Sequence, residues 1–273
     1  MKHRTVPRGR AFSLLFSSPL SLSLVPLSTS TTKDPITCYR EVVTHGTTKL
    51  NAVYTDNSAM VPRFLSYFEE QLEEVEEKDK FMGLDLEYTA NQEAVVVIQL
   101  CFKRNFMVFQ WARSDKHCPV LMDFLRSGIR FASVNIRNDK LKMRQSFGVE
   151  IPADYHIDIQ DIFRLEHEST SMAYMALTLI DEEYADMKTK FPSVQHKKWE
   201  RTPLDGINIG YSTKDAYVAY ELYHRIRIMN YGQRHLVHQA APPPPPPIHI
   251  YSYSHESCSQ HVLRAILSLA III

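Results

Sequence analysis

The sequence predicts an α/β domain built on a mixed sheet, and three observations support this prediction. Short apolar segments, rich in β-branched and aromatic residues, come first as a meander of three strands. Further strands then alternate with helical segments, as expected when helices cover a sheet. Apolar residues in the helical segments recur every three or four positions, which indicates helices that each bury one face.

Residues 1–35 do not have the pattern of a folded element. Four Lys or Arg residues occupy the first ten positions, and no acid occurs before Asp34. A composition rich in Ser and Arg and poor in acids is typical of an organellar transit peptide. An unstructured tail explains the same composition equally well, so targeting to a plastid or mitochondrion stays an alternative.

The next segment predicts a β-hairpin followed by a helix. Alternating residues rich in Thr, Val and Tyr place the hairpin strands at Cys38–Val43 and Thr48–Thr55. The helix is expected over Ser58–Lys78, with Ser58 as its N-cap and Pro62 in its first turn. Its outer face carries six glutamates, which indicates a solvated surface.

Five strands form the predicted sheet. The first is an apolar segment with the sequence FMGLDLEY, bounded by charged residues before it and a polar turn after it. The short gap between the second and third strands predicts a hairpin. In chain order the strands are 81–88, 94–102, 105–111, 130–136 and 156–159.

Helical segments complete the domain, which is expected to span residues 36–235. In chain order they are 119–126, 138–147, 171–190, 204–210 and 211–230. Beyond them, Pro242–Pro247 predicts a stiff polyproline II rod, and residues 236–273 are expected to be disordered. The final apolar run, Val262–Ile273, is too short to span a bilayer, so no membrane partner is expected.

Composition excludes several functional classes. The formal net charge is zero, so nucleic-acid binding would have to depend on local basic patches. The four cysteines include no C-x-x-C pair, which argues against a disulfide framework and against a zinc site.

Two acids in the first strand, Asp85 and Glu87, are the first sign of chemistry. Residues i and i+2 of a strand point to the same face, so both carboxylates project side by side from an apolar segment. Burying two adjacent carboxylates is costly unless a cation lies between them. A hard divalent metal with oxygen ligands satisfies that need. The alternative is that one acid is simply exposed at a strand end.

Two further acids and a tyrosine lie where the predicted elements make them relevant. Asp139 follows the fourth strand at the start of a helix, where it is also suited to pair with the helix dipole. Tyr211 and Asp215 are four residues apart on a late helix, so they share a face. Taken alone, that pair is equally consistent with a surface hydrogen bond.

Together these residues resemble the DEDD superfamily of 3′–5′ exonucleases, in the subclass with a tyrosine. The blocks GLDLEY, VVVIQLC, VNIRNDKLKM and WERTPLDGINIGYSTKDAYVAYELY occur in the family's order. They are most similar to the Werner-syndrome-type exonuclease domain, particularly its plant members, over about residues 36–230. The resemblance implies an RNase H-like (DnaQ-like exonuclease) fold, with a mixed five-stranded sheet flanked by helices and preceded by the hairpin and helix.

The resemblance also implies a mechanism with two Mg²⁺ or Mn²⁺ ions. Asp85 would bridge the metals, Glu87 and Asp215 would complete the first site, and Asp139 would hold the second metal through water. Tyr211 would orient the attacking water. Oxygen-only ligands suit these metals better than zinc. The products would be nucleoside 5′-monophosphates released from 3′ ends of DNA or RNA.

Substrate contacts are expected close to these motifs. Residues beside the D-x-E pair contact the terminal nucleotide in the family, which makes Tyr88 a candidate, and basic side chains near the motifs could bind phosphates. The candidates for phosphate binding are Lys142, Arg201 and Lys214. Trp199 near this patch is expected in the core, and Leu86 is expected on the opposite face of its strand.

The sequence departs from the family pattern in three places. Asn208 stands where the family usually has Gln, Ser212 and Thr213 replace two alanines, and residues 181–190 lack the usual Leu-Gly pair. These departures bear on substrate fit, since no metal ligand is missing. The alternative function is a nucleic-acid-binding or scaffold protein on the same fold with weak or no catalysis. The resemblance implies a nuclear or cytoplasmic protein, and it leaves both a homo-oligomer and a helicase partner open.

Overall fold

The computed structural model describes residues 38–45, 48–163 and 170–239. The expectations for residues 1–35, for Pro242–Pro247 and for the tail after it lie outside the described residues. The strands and helices are β1 (Cys38–His45), β2 (Thr48–Thr55), α1 (Val61–Glu73), β3 (Phe81–Tyr88), β4 (Val95–Phe102), β5 (Asn105–Phe109), α2 (Pro119–Arg126), β6 (Arg130–Ser133), α3 (Ile136–Phe147), β7 (His156–Asp158), α4 (Ile159–Ile162), α5 (Met172–Leu179) and α6 (Gly206–Gln239).

The sheet has the order β1-β2-β5-β4-β3-β6-β7. β4 runs antiparallel to both β3 and β5, whereas β6 is parallel to β3 and β7 is parallel to β6. The five strands predicted from the sequence therefore form one continuous mixed sheet, as expected. All eight residues of β4 are buried, so both faces of the sheet are covered at its centre.

The hairpin is part of the same sheet. β2 pairs in parallel with β5 from Asn51 to Thr55, so the sheet has seven strands where the sequence suggested a hairpin preceding five. Without β2, the outer edge of β5 would present unpaired backbone groups. Leu50, Ala52 and Tyr54 on one face of β2 are completely buried, which fixes the hairpin on the core.

The first helix differs from its prediction at both ends. Asn57 accepts a hydrogen bond from the backbone N–H of Ala59 and caps a short 3₁₀ turn, so Ser58 is not the N-cap. The α-helix ends at Glu73 and does not reach Lys78. Its last turns carry glutamates spaced four residues apart, and like charges at that spacing weaken a helix.

The predicted long helix over residues 171–190 is wrong. α5 ends at Leu179, and Asp181 then accepts a hydrogen bond from the N–H of Glu183 to begin a separate 3₁₀ turn, Glu182–Asp186. Local side-chain bonds of this kind compete with helix continuation. The break lets the following residues turn toward α6.

The two predicted late helical segments form the single helix α6. The helix starts at Gly206 and runs to Gln239, past the domain end expected at residue 235. Ala216, Ala219, Leu222, Tyr223 and Ile226 form a buried stripe along α6, at the helical spacing expected of a packed face. Although α6 is long, no helix among the described residues is apolar enough to cross a membrane.

A buried histidine in β7 predicts a pH dependence of stability. His156 is 3% exposed, and its Nε2 lies 3.3 Å from the Ser133 hydroxyl. Burial, with a smaller effect from Lys140, lowers the pKa of His156 from 6.5 to about 4. The folded state holds the imidazole neutral. The contribution of His156 to the free energy of unfolding is therefore complete above pH 6.5 and is lost as pH falls toward 4.

We therefore expect the free energy of unfolding to fall with acid more steeply in the wild type than in His156→Leu. Between pH 7.5 and pH 5, the free energy of unfolding should fall by about 2 kcal/mol more in the wild type than in the variant. Urea unfolding of both proteins in EDTA measures it, and other titrating groups cancel in the comparison. Parallel pH profiles for the two proteins would contradict the assignment.

Candidate metal centre

Strand β3 and helix α6 together build the site. Gly83, Asp85 and Glu87 occupy alternate positions of β3 and so share one face. A Cβ on Gly83 would lie 2.3 Å from the carbonyl oxygen of Ala216, so α6 crosses β3 in backbone contact at this point. The residue before Ala216 is Asp215, which the crossing places beside the acids of β3.

The three carboxylates of Asp85, Glu87 and Asp215 converge. One oxygen from each lies within 4.8 Å of the other two. Glu87 is 8% exposed and Asp215 is 3% exposed, whereas Asp85 is half-buried. The structure thus brings together three of the four acids predicted as metal ligands, from positions far apart in the sequence.

The environment of this cluster disfavours the ionised form of its carboxylates. Burial raises the pKa of Asp85 well above its ordinary value, and the neighbouring Asp215 carboxylate raises it further. The pKa of Glu87 is also raised, first by burial and then by Asp85 and Asp215. A site that makes carboxylates this hard to ionise is a site that a bound cation would stabilise.

The fourth predicted acid, Asp139, lies close to this cluster but outside it. It is not among the three carboxylates within 4.8 Å, yet its charge contributes to the raised pKa values of Asp85 and Glu87. Burial raises the pKa of Asp139 to about 6, against the opposing hydrogen bond from Tyr88. That bond runs from the Tyr88 hydroxyl to Oδ1 of Asp139.

The start of α3 is fixed by a residue that the sequence analysis missed. The Asp158 carboxylate accepts hydrogen bonds from the N–H groups of Asn135 and Ile136, at 3.1 and 3.0 Å. Asn135 itself is in the left-handed region, with φ of 61°. This cap ends β6 at Ser133, three residues before the predicted end, and places Asp139 in the first turn of α3.

Tyr211 lies on the same face of α6 as Asp215, as the four-residue spacing predicted. Its ring stacks on Phe191 with a centroid distance of 3.9 Å, and Trp199 lies 6.2 Å away. Burial raises the pKa of Tyr211, and the Asp215 charge adds to the effect. The phenol is therefore neutral and is held in one orientation by aromatic packing.

Lys188 is the second residue that sequence analysis missed. Its ammonium donates to Oδ2 of Asp215 and, at 2.8 Å, to the hydroxyl of Tyr211. The same Nζ lies 4.9 Å from the centroid of the Tyr211 ring. Burial is the largest single influence on Lys188 and lowers its pKa, but Asp215, Tyr211 and Asp85 together outweigh burial and raise the lysine pKa. The only signal in the sequence was its position in the segment that departs from the family pattern.

The residues predicted to bind nucleic acid belong to separate segments of the chain. Lys142 donates to the Glu93 carbonyl oxygen at 3.3 Å, and exposed Arg201 lies 3.9 Å from Asp205. Lys214 directly precedes Asp215 in α6. Consecutive helical residues are rotated by about 100°, so the two side chains do not share a face. Tyr88 is half-buried and bound to Asp139. Their role in substrate binding stays a prediction.

Two packing expectations near the site are confirmed. Trp199 is 2% exposed and stacks near Phe191 in the core. Leu86 is 5% exposed and points away from the face that carries Asp85 and Glu87.

The donor set fits a hard divalent cation. It consists of carboxylate oxygens alone, which suit Mg²⁺ or Mn²⁺. Within the described residues, buried Oδ1 of Asp215 has no hydrogen-bond partner, and neither does the amide of Gln99. Gln99 pairs directly with Asp85 across β3 and β4, so its side chain points to the same face. Unpartnered buried polar atoms beside several carboxylates fit a site that binds a cation together with its water shell.

Comparisons with known proteins agree with this chemistry. A family model described as 3′-5′ exonuclease matches residues 64–229, which is more than half of the chain. Comparison with curated protein sequences found no significant match.

Solved exonuclease structures are similar to the chain at low identity. The Nibbler EXO domain of Aedes aegypti is 16% identical, with a TM-score of 0.49, and the match covers 68% of this chain and 93% of that one. The catalytic core of RRP6 from Trypanosoma brucei is 14% identical, with a TM-score of 0.49, over 68% of this chain and 49% of that one. An EXD2 exonuclease domain soaked in Mn and dGMP is 16% identical, with a TM-score of 0.37, over 72% and 100%.

Proposed function

The chain belongs to the 3′–5′ exonuclease family, and on that premise we propose that it is a metal-dependent enzyme that removes nucleotides from the 3′ ends of nucleic acids. The RNase H-like (DnaQ-like) fold expected from the sequence is confirmed by the family match together with the mixed sheet. One observation carries the proposal: three carboxylates from β3 and α6, two buried and one half-buried, converge within 4.8 Å.

The proposed reaction is hydrolysis of the terminal phosphodiester bond. Asp85, Glu87 and Asp215 would hold the metal directly, and Asp139 would act through water, since it lies outside the group of three. Metal ions held by these carboxylates would stabilise the charge that develops on the attacking and leaving oxygens and would lower the pKa of bound water. The protein's own part is to gather the carboxylates, orient the water and exclude bulk solvent.

Tyr211 is suited to orient the attacking water. Its raised pKa makes it a poor general base, because the phenol keeps its proton across the physiological range. Stacking on Phe191 fixes the ring, so the hydroxyl is presented from a constant position beside Asp215. A positioned hydrogen bond to water is the role that these properties support.

Finer assignments extend the proposal beyond the family. We include in it the similarity to the Werner-type, plant-like members and the use of Mg²⁺ or Mn²⁺ in a two-ion mechanism. Release of nucleoside 5′-monophosphates and phosphate contacts by Lys142, Arg201 and Lys214 also belong to it. A nuclear or cytoplasmic location, and a homo-oligomer or helicase partner, are carried forward from the sequence.

Digestion of a 5′-labelled duplex with a recessed 3′ end tests the proposed activity. We expect a ladder of shortening labelled products in Mg²⁺ or Mn²⁺, no ladder in EDTA, and recovery when the metal is restored. The same substrate made with an RNA 3′ end, run in parallel, gives the preference between DNA and RNA.

The direction of digestion is the control on this assay. Loss of the 5′ label as a mononucleotide would indicate the opposite polarity or a contaminating nuclease. A protein that binds the duplex but yields no ladder with either metal, even at high concentration, would be a nucleic-acid-binding protein and would overturn the proposal.

A further inference from the structure

Lys188 places a positive charge inside the candidate metal centre. It follows the 3₁₀ turn Glu182–Asp186, in the segment 181–190 that departs from the family pattern. Its ammonium contacts both Asp215 and Tyr211, and its charge also acts on Asp85. One side chain therefore joins the residue proposed to hold the metal to the residue proposed to orient the water.

The contact with Asp215 conflicts with a metal ion at the same place. A divalent cation bound to Asp215 would be a like charge close to the ammonium, and like charges at a few ångströms repel each other. Oδ2 of Asp215 is taken by Lys188, whereas Oδ1 is buried without a partner within the described residues. The lysine thus holds one half of a carboxylate that the metal would need.

The fold indicates which of the two partners gives way. Asp215 belongs to α6, which is fixed where the carbonyl of Ala216 touches β3 at Gly83. Lys188 belongs to an exposed turn, and its side chain is 42% exposed. A long, flexible lysine stem on a surface turn can move at little cost, whereas Asp215 cannot move without α6.

We propose that Lys188 is a positioning residue that acts as the internal counter-cation of the metal-free site. It holds Asp215 and Tyr211 in their working positions until a metal arrives, and it is then displaced from Asp215. The inference rests on the proposed metal-dependent function. Its consequence is that the lysine stabilises the metal-free protein and weakens metal binding.

Mn²⁺ titration of Lys188→Gln, followed by calorimetry or electron paramagnetic resonance, tests the competition. Removing the ammonium should tighten Mn²⁺ binding on the order of tenfold or more, because a nearby like charge is lost. The same variant should have a lower Tm than the wild type in EDTA, since Asp215 is left buried without its cation. Saturating Mn²⁺ should restore most of that Tm.

Two further variants make the result specific. Lys188→Arg keeps the charge and can form a two-pronged bond with a carboxylate, so its Mn²⁺ affinity should equal the wild-type value or be weaker. Lys190→Gln is the matched control, because Lys190 lies two residues away and pairs with exposed Asp186 at 3.2 Å. It should leave both Mn²⁺ affinity and Tm in EDTA unchanged.

Unchanged or weaker Mn²⁺ binding by Lys188→Gln would overturn the proposal. The failure of the nuclease assignment is distinguishable from this outcome. If the wild type degrades no 3′ end but Lys188→Gln still binds Mn²⁺ more tightly, the counter-cation role stands without the activity. If no variant binds Mn²⁺, the metal centre and the displacement of Lys188 are both rejected.

Discussion

Asp85→Asn is expected to abolish hydrolysis at 3′ ends, with turnover at saturating Mg²⁺ falling on the order of 10³-fold or more. Asn keeps the size of the side chain but removes the charge from one of the three converging carboxylates. Metal catalysis contributes several kcal/mol to such reactions, and each 1.36 kcal/mol corresponds to a factor of ten. The measurement is the rate of ladder formation on a 5′-labelled duplex.

Stability should change in the opposite direction in the same variant. Burial, followed by the charge of Asp215, raises the pKa of Asp85, so the ionised form is unfavourable in the metal-free fold. Replacing that acid with a neutral amide should leave the Tm in EDTA equal to or above the wild-type value. Activity that falls while Tm holds or rises cannot result from unfolding.

Glu93→Gln provides the matched control for Asp85→Asn. Glu93 is an exposed acid in the turn between β3 and β4, so its removal changes the net charge equally without touching the cluster. It should retain wild-type turnover and Mn²⁺ affinity. If Asp85→Asn keeps more than about a tenth of the wild-type rate, the carboxylate cluster is not the catalytic centre.

The site was predictable from the sequence where local pattern determines position. Alternation in β3 places Asp85 and Glu87 on one face, and the helical spacing of Tyr211 and Asp215 places them together on α6. Short apolar segments likewise indicated the five central strands. In each case the relevant periodicity is contained within one element, so no knowledge of tertiary contacts was needed.

The missed features all depend on contacts between elements. Lys188 contacts Asp215 of α6 because the helix predicted over residues 171–190 ends at Leu179, after which the Asp181 carboxylate accepts a hydrogen bond from the N–H of Glu183. Asp158 caps α3 from another strand, at a separation of 22 residues from Ile136. The pairing of β2 with β5 joins segments about 50 residues apart, which periodicity does not encode.

Gly83→Ala is expected to destabilise the protein by about 3 kcal/mol or more, through a clash at the crossing of β3 and α6. The new methyl group would lie 2.3 Å from the Ala216 carbonyl oxygen and 2.9 Å from the Tyr220 nitrogen. Both atoms belong to helix backbone, so they cannot rotate away as a side chain would. Urea unfolding in EDTA measures the loss.

Gly210→Ala makes the same chemical change within α6, at a position that has room for a methyl group. A Cβ at Gly210 would meet only Val43 Cγ1, at 3.9 Å. Because glycine in a helix interior is less favourable than alanine, this variant should be neutral or more stable by up to about 1 kcal/mol. Equal effects of the two substitutions would contradict the close crossing of β3 and α6.

The effect of Gly83→Ala should extend from stability to the metal centre. If α6 moves away from β3 to accommodate the methyl group, Asp215 moves away from Asp85 and Glu87 as well. Mn²⁺ affinity should then fall in the fraction that stays folded, whereas Gly210→Ala should bind Mn²⁺ as the wild type does. Gly83 has no side chain that could bind the metal. A loss of metal binding would therefore show that backbone contact at this crossing sets the geometry of the carboxylates.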